Sequence, residues 1–202
     1  MERGKTLSHA EEFMNSYLDD LRNALDAFDV NDLEEIAGIL LRANAEGKTV
    51  YFCGQGGSAA TASHLSNDLS KISGYSGLER FKAISLTDNV SQLTAWINDI
   101  GYEQCFVEAL KNLFRDGDVL IALSGSGNSM SVVNAVDYVN EHRGVSIAMT
   151  GFPGGKLVEI AQKTVLVQSE NMQRIEDSHL AFAHLLFSYI RHLYSGREAN
   201  QP

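Results

Sequence analysis

The run Val119-Leu-Ile-Ala-Leu-Ser-Gly-Ser-Gly-Asn-Ser129 decides how this chain folds. Five apolar residues in succession are too short for a helix and suit a strand buried on both faces, as in a parallel sheet. The Ser/Gly segment ends that strand, and Met130 to Asn140 reads as the helix that follows. Glycines let the backbone approach a ligand closely, and serine hydroxyls beside a helix N-terminus add donors where free amides favour an anion. Ser124, Gly125, Ser126 and Ser129 are therefore candidate phosphate-binding residues on the loop of a strand-loop-helix unit.

The same unit occurs upstream. Val50 to Cys53 is a short strand, Gly54-Gln-Gly-Gly-Ser58 a turn, and Ala59 to Ile72 a helix. That places Gly56, Gly57 and Ser58 in a second candidate cradle. Phe81 to Leu86 reads as another strand, followed by helices over Ser91 to Ile97 and Glu103 to Leu113. Val145 to Met149, the loop Thr150-Gly-Phe-Pro-Gly-Gly155 and a short helix from Lys156 to Ala161 form one more unit. A last strand, Thr164 to Val167, leads to a closing helix from Ile175 to Leu193. This alternation predicts a mostly parallel sheet covered on both faces, with ligands outside the carboxyl ends of its strands. Neither Ser/Gly loop has the lysine of a nucleotide P-loop or the dinucleotide fingerprint, which argues against ATP and NAD.

Ahead of the sheet, residues 1–46 read as helices. Ser8 caps a segment in which Phe13, Met14, Tyr17, Leu18, Leu21 and Leu25 recur every three or four residues. Asn31, with Glu34 three residues on, is the expected cap of a second helix carrying Leu33, Ile36, Leu40 and Leu41. So much apolar helix exceeds what one edge of a small sheet covers, so one of these helices is expected to meet another subunit.

At 202 residues the chain has the size of one domain, and 16 basic against 26 acidic side chains give a net charge of -10. Such a balance repels polyanions, which argues against direct nucleic-acid binding. No apolar run follows Arg3 and Lys5, and no segment is apolar for long enough to span a bilayer, so the expectation is a cytoplasmic protein with no membrane partner. Cys53 and Cys105 read as buried small hydrophobes.

His64 and Asp68 stand four apart on the helix leaving the first loop and face the same way. Glu176 and His184 stand eight apart on the closing helix, on roughly one face. If the two helices meet, two imidazoles and two carboxylates converge. Such a group suits Zn²⁺ or another divalent metal, and equally acid/base work on a sugar phosphate.

Taken together, Cys53-Gly-Gln-Gly-Gly-Ser58, His64 and Asp68, Ser124-Gly-Ser-Gly-Asn-Ser129, Thr150-Gly151 and Arg174-Ile-Glu-Asp-Ser-His179 with His184 resemble the sugar isomerase (SIS) domain family, in particular its phosphoheptose isomerases. The resemblance implies an α/β fold: a three-layer, doubly wound sandwich with a five-stranded parallel sheet plus N-terminal helices. Residues 47–196 would be the SIS domain, and residues 1–46 a helical part of the same domain at a subunit interface. It implies a homotetramer with active sites between subunits, acting on the phosphosugar pair sedoheptulose 7-phosphate and D-glycero-D-manno-heptose 7-phosphate. Ser58, Ser124, Ser126 and Ser129 would hold the phosphate, and Asp99 would contact the sugar. His64, Asp68, Glu176 and His184 would form the zinc and acid/base site, with Asp68 and His184 exchanging protons through an enediol. Four positions depart from the family pattern: Asp68 stands for Glu, Glu176 for Gln, Gly125 for Thr, and Lys71-Ile72 where Arg is expected. The alternatives are an isomerase of a different phosphosugar and a non-catalytic SIS protein of regulation or assembly, including the type that binds a replication initiator.

Overall fold

The structure, a computed structural model, describes residues 8–72 and 79–198; Arg3 and Lys5 lie outside them. Five strands, β1 (Thr49–Gly54), β2 (Lys82–Ser85), β3 (Val119–Leu123), β4 (Val145–Thr150) and β5 (Lys163–Leu166), pair in parallel in the order β2-β1-β3-β4-β5. Gly54 lies opposite Leu123 and Leu123 opposite Met149, so the loops after β1, β3 and β4 leave the sheet side by side. The order reverses between β1 and β3, where open α/β sheets form their ligand crevice. Both Ser/Gly loops flank that point.

Alternate residues of the central strands face opposite layers, as a strand's period of two requires. On one face Val50, Phe52, Ile121, Ile147 and Met149 pack against α2 (Val30–Ala45), α3 (Gly57–Ile72) and α8 (Met172–Glu198). On the other, Tyr51, Cys53, Leu120, Ala122 and Ala148 pack against α4 (Val90–Asp99), α5 (Cys105–Leu113) and α6 (Met130–Glu141), with Leu157 of the short α7 (Leu157–Ile160). Right-handed crossovers explain the division. The step from β1 to β2 runs outward and sets α3 on one face, whereas every later step runs the opposite way and sets its helix on the other.

Ser8 caps α1 (His9–Asp26) with a complete capping box through Glu11, as the sequence predicts. The second helix starts earlier than expected. Asp29, not Asn31, is its cap, and the Asp29 carboxylate accepts both the backbone and the side-chain amide of Asn31 at 2.8 and 2.9 Å. A carboxylate in the extended conformation one residue ahead of the helix outcompetes an amide already inside it. α1 is tied to α8 by an Arg174–Asp20 ion pair and a hydrogen bond from the Tyr17 hydroxyl to Asp177, while Phe13, Met14 and Leu18 remain exposed. No described helix is long and apolar enough to cross a membrane.

Candidate active site

α3 and α8 pack side by side through Leu65, Leu69, Phe182, Ala183 and Leu186, and His64 meets His184 across that seam. The two Nε2 atoms are 3.2 Å apart, and Asp68 Oδ2 lies 3.1 Å from His64 Nε2 and 3.4 Å from His184 Nε2. The three side chains are partly exposed, at 45, 29 and 47% for His64, Asp68 and His184, so the cluster opens to solvent. Its donor atoms form a nearly equilateral triangle. Bonds of about 2.0–2.1 Å to a tetrahedral ion put neighbouring donors about 3.3 Å apart, so this triangle has the dimensions of one face of a zinc site with a fourth position open.

Glu176 does not join that cluster, which corrects the four-ligand expectation. Eight residues of helix turn the side chain back to roughly the same face, but they also raise it about 12 Å along the axis. Glu176 instead lines the serine cavity with Gln55, Ser58, Ser124, Gly125, Ser126, Ser129 and Met172. Asp99 is likewise not brought to the site of a single chain. It ends α4, on the opposite sheet face from α3 and α8, where it is exposed and accepts a hydrogen bond from Asn98.

The serine cavity is built from the two loops at the sheet's switch point. Ser58 sits in the first turn of α3 and Ser129 is the N-cap of α6, yet the Ser129 hydroxyl does not cap its helix; it accepts from Ser124 Oγ at 3.3 Å. Ser124 and Ser129 thus border one cavity at the N-terminus of α6, where unpaired amides favour an anion. Gly56 shapes the first loop with φ of 58°, and Gly57 lies beneath Glu176. Gly125 has a partner that sequence reasoning missed: a Cβ there would strike the Met172 sulfur, so the thioether takes the space a larger loop residue would need. Nothing in the spacing of Met172 signals this. Arg191, which lines the neighbouring cavity with Asp68, Lys71, Ile72, His184, Phe187 and Ser188, was discoverable, since it follows His184 by two helical turns.

One buried imidazole backs the end of β4. His179 is 1% exposed, hydrogen-bonds the backbone of Thr150, and has an unpartnered Nε2. Burial lowers its pKa from 6.5 to about 4. The unfolded chain therefore takes up a proton near pH 6.5 that the folded protein refuses until about pH 4. This contribution is complete above pH 6.5 and declines as pH falls to 4, by roughly 3 kcal/mol at about 1.4 kcal/mol per unit. Urea midpoints measured across that window are expected to fall steeply in the wild type and much less in His179→Gln; equal slopes would refute this account.

The SIS domain family profile matches residues 16–151. The phosphoheptose isomerase of Akkermansia muciniphila is 37% identical over 168 residues, covering 82% of this chain and 87% of that protein. The phosphoheptose isomerase of Neisseria gonorrhoeae superposes with a TM-score of 0.81 at 29% identity, over 91% of this chain and 98% of that one. The Francisella tularensis phosphoheptose isomerase gives 0.82 at 25% identity, over 92% and 100%. Fold, loops and extended sequence likeness agree, and the chain belongs to the SIS domain family, alongside its phosphoheptose isomerases.

Proposed function

We propose that this protein is an aldose–ketose isomerase that interconverts sedoheptulose 7-phosphate and D-glycero-D-manno-heptose 7-phosphate, the activity carried by the names of its relatives. One observation of length is compatible with a substrate of six or seven carbons and disfavours a much shorter one. Six residues of α3 separate Ser58, in the cradle, from His64, in the cluster, a rise of about 9 Å; Glu176 and His184 are about 12 Å apart along α8. An extended sugar chain advances about 1.3 Å per 1.5 Å bond, so C1 of a heptose 7-phosphate lies about 10 Å from phosphorus. Phosphate in the serine cavity and C1–C2 at the cluster are compatible with that span, whereas a triose phosphate would fall short.

In the ketose-to-aldose direction a base takes a proton from C1 and the electron pair forms a C1–C2 double bond as the C2 oxygen gains a proton. The enediol then regains a proton at C2 and loses one from the C1 oxygen. Asp68 is assigned the transfer between carbons, because only its Oδ2 is drawn to the two imidazoles among the contacts that hold the cluster, while its Oδ1 accepts from the exposed Asn67. His64, His184 and Asp68 Oδ2 fit a divalent cation, with Zn²⁺ favoured by the nitrogen-rich donor set, which would polarise the substrate carbonyl. His184 Nε2 either ligates or carries a proton, and removal of metal separates the two roles. Ser58, Ser124, Ser126 and Ser129 hold the phosphate in this reading, and Glu176 belongs to the sugar cavity.

A homotetramer is also proposed, with residues 1–46 at its interface as part of the single domain that continues through 47–196. The exposed Phe13, Met14 and Leu18 support this, and Asp99 would reach sugar only from a second subunit. A cytoplasmic site of action fits a phosphorylated substrate and the two free cysteines.

The test is turnover of sedoheptulose 7-phosphate before and after chelation. Chelated enzyme is expected to lose at least about tenfold in rate and to regain it with Zn²⁺. Unchanged turnover after complete metal removal would exclude the ligand role, and no turnover with any metal, despite phosphosugar binding, would favour another phosphosugar or a regulatory protein.

A further inference from the structure

The seam between α3 and α8 carries charge on both sides of the histidine cluster, and the two ends differ in sign. The helices run the same way along it: Ser58 and Glu176 line the serine cavity, His64 meets His184, and Lys71 and Arg191 line the cavity beyond. His64, Asp68 and Lys71 follow one another at four and three residues, as do His184, Ser188 and Arg191, so each set forms one stripe of its helix. Among the described residues, Glu176 is the one charged side chain in the wall of the serine cavity. The far cavity, of about 260 Å³, takes two cations, Lys71 and Arg191, and the Ser188 hydroxyl, and it shares Asp68 and His184 with the cluster. Lys71 is exposed and enters no ion pair among the described residues. Helical side chains lean toward the N-terminus of their helix, so cations placed downstream of the cluster on both helices reach back toward it.

We propose that this cavity is a second anion subsite, which takes a phosphate on the C1 oxygen of a sugar whose other phosphate sits in the serine cradle. With C1 at the cluster, an ester on the C1 oxygen continues the chain away from the cradle, toward Lys71 and Arg191. Two cations balance a phosphate dianion, and the ammonium, guanidinium and hydroxyl supply donors for its three free oxygens. Such a sugar bisphosphate is held at both ends and is not turned over. Its esterified C1 oxygen has no proton to lose, so an enediol cannot pass on to the aldehyde, and the ligand acts as an inhibitor. This inference rests on the isomerase reading, which sets one phosphate among the serines and C1 at the cluster.

The experiment is calorimetric titration of the protein as purified with sedoheptulose 7-phosphate and with sedoheptulose 1,7-bisphosphate, repeated on Lys71→Met and Arg191→Met. The wild type is expected to bind the bisphosphate at least about tenfold tighter than the monophosphate, most clearly at low ionic strength. Each substitution should remove most of that advantage while moving monophosphate affinity by less than about threefold, and Lys71→Arg, which keeps the charge, should retain it. No advantage in the wild type, or an advantage that survives both substitutions, overturns the proposal. An equal loss for the two ligands overturns it too, since the cations would then hold the monophosphate itself. Turnover of the 7-phosphate by the wild type is recorded in parallel: its absence beside the predicted difference in affinity would sink the isomerase reading and leave the second subsite standing.

Discussion

Asp68→Ala and His184→Ala are each expected to lower turnover of sedoheptulose 7-phosphate by roughly 10²–10⁴-fold while leaving the melting temperature within a few degrees of wild type. The two residues share one cluster, so the double variant should be little worse than either single one. Stability is spared because the side chains are only partly buried and belong to no packed core; their apolar neighbours Leu65, Leu69, Phe182 and Leu186 remain in place. Loss of rate without loss of phosphosugar binding would assign both residues to the chemistry, since the proposed phosphate site at Ser58 lies about 9 Å away along α3. Asp68→Glu supplies a finer test. The longer side chain keeps the charge but moves the carboxylate beyond the roughly 0.5 Å tolerance of a preorganised site, so partial activity is expected. Either alanine variant retaining more than a tenth of wild-type turnover would remove that residue from the mechanism.

The division between what sequence reveals and what it conceals follows the range of the interactions involved. β3 was readable to the residue because Val119 to Leu123 is an unbroken apolar run bounded by Asp118 and Ser124, and its burial is complete. The Ser8 cap was readable because its capping box closes within four residues. The cap of α2 is ambiguous in the sequence because Asp29 and Asn31 both suit the role, and only the conformation of Asp29 decides between them. His64 and Asp68 were paired correctly by helical spacing, and their meeting with His184 depended on α3 packing against α8. For Glu176 the helical period brings the side chain to the face of His184, but the axial rise of about 12 Å carries it to the serine cavity. Asp99 went to the far face because right-handed crossovers act on strand order, and strand order is not written in local sequence.

Gly127→Ala is expected to abolish phosphate binding and to destabilise the protein by about 2–4 kcal/mol, because two backbones interlock at this residue. Gly127 has φ of 66°, a conformation that costs an L-residue about 1–2 kcal/mol. Its missing Cβ is replaced by the backbone carbonyl of Gly154, and a methyl there would overlap that oxygen and come within 2.9 Å of Thr150 Oγ1. Neither neighbour is a flexible chain end. Gly155 reciprocates, its Cβ direction pointing at the Ser126 carbonyl at 2.5 Å. The contact is fastened by bonds from Gly151 N to Gly125 O and from Leu157 N to Gly127 O, at 2.9 and 3.1 Å. Relief of the clash therefore parts the serine loop from the loop after β4, and Ser124, Ser126 and Ser129 no longer border one cavity. Gly47→Ala separates the two causes: its φ of 67° is the same, but its nearest contact is the Lys82 ammonium at 3.8 Å. That variant should show only the backbone cost, about 1 kcal/mol, with phosphate binding intact. Chemical denaturation and phosphate titration of both variants decide the matter, and equal destabilisation, or retained phosphate affinity in Gly127→Ala, would show that the interlock does not hold the cradle.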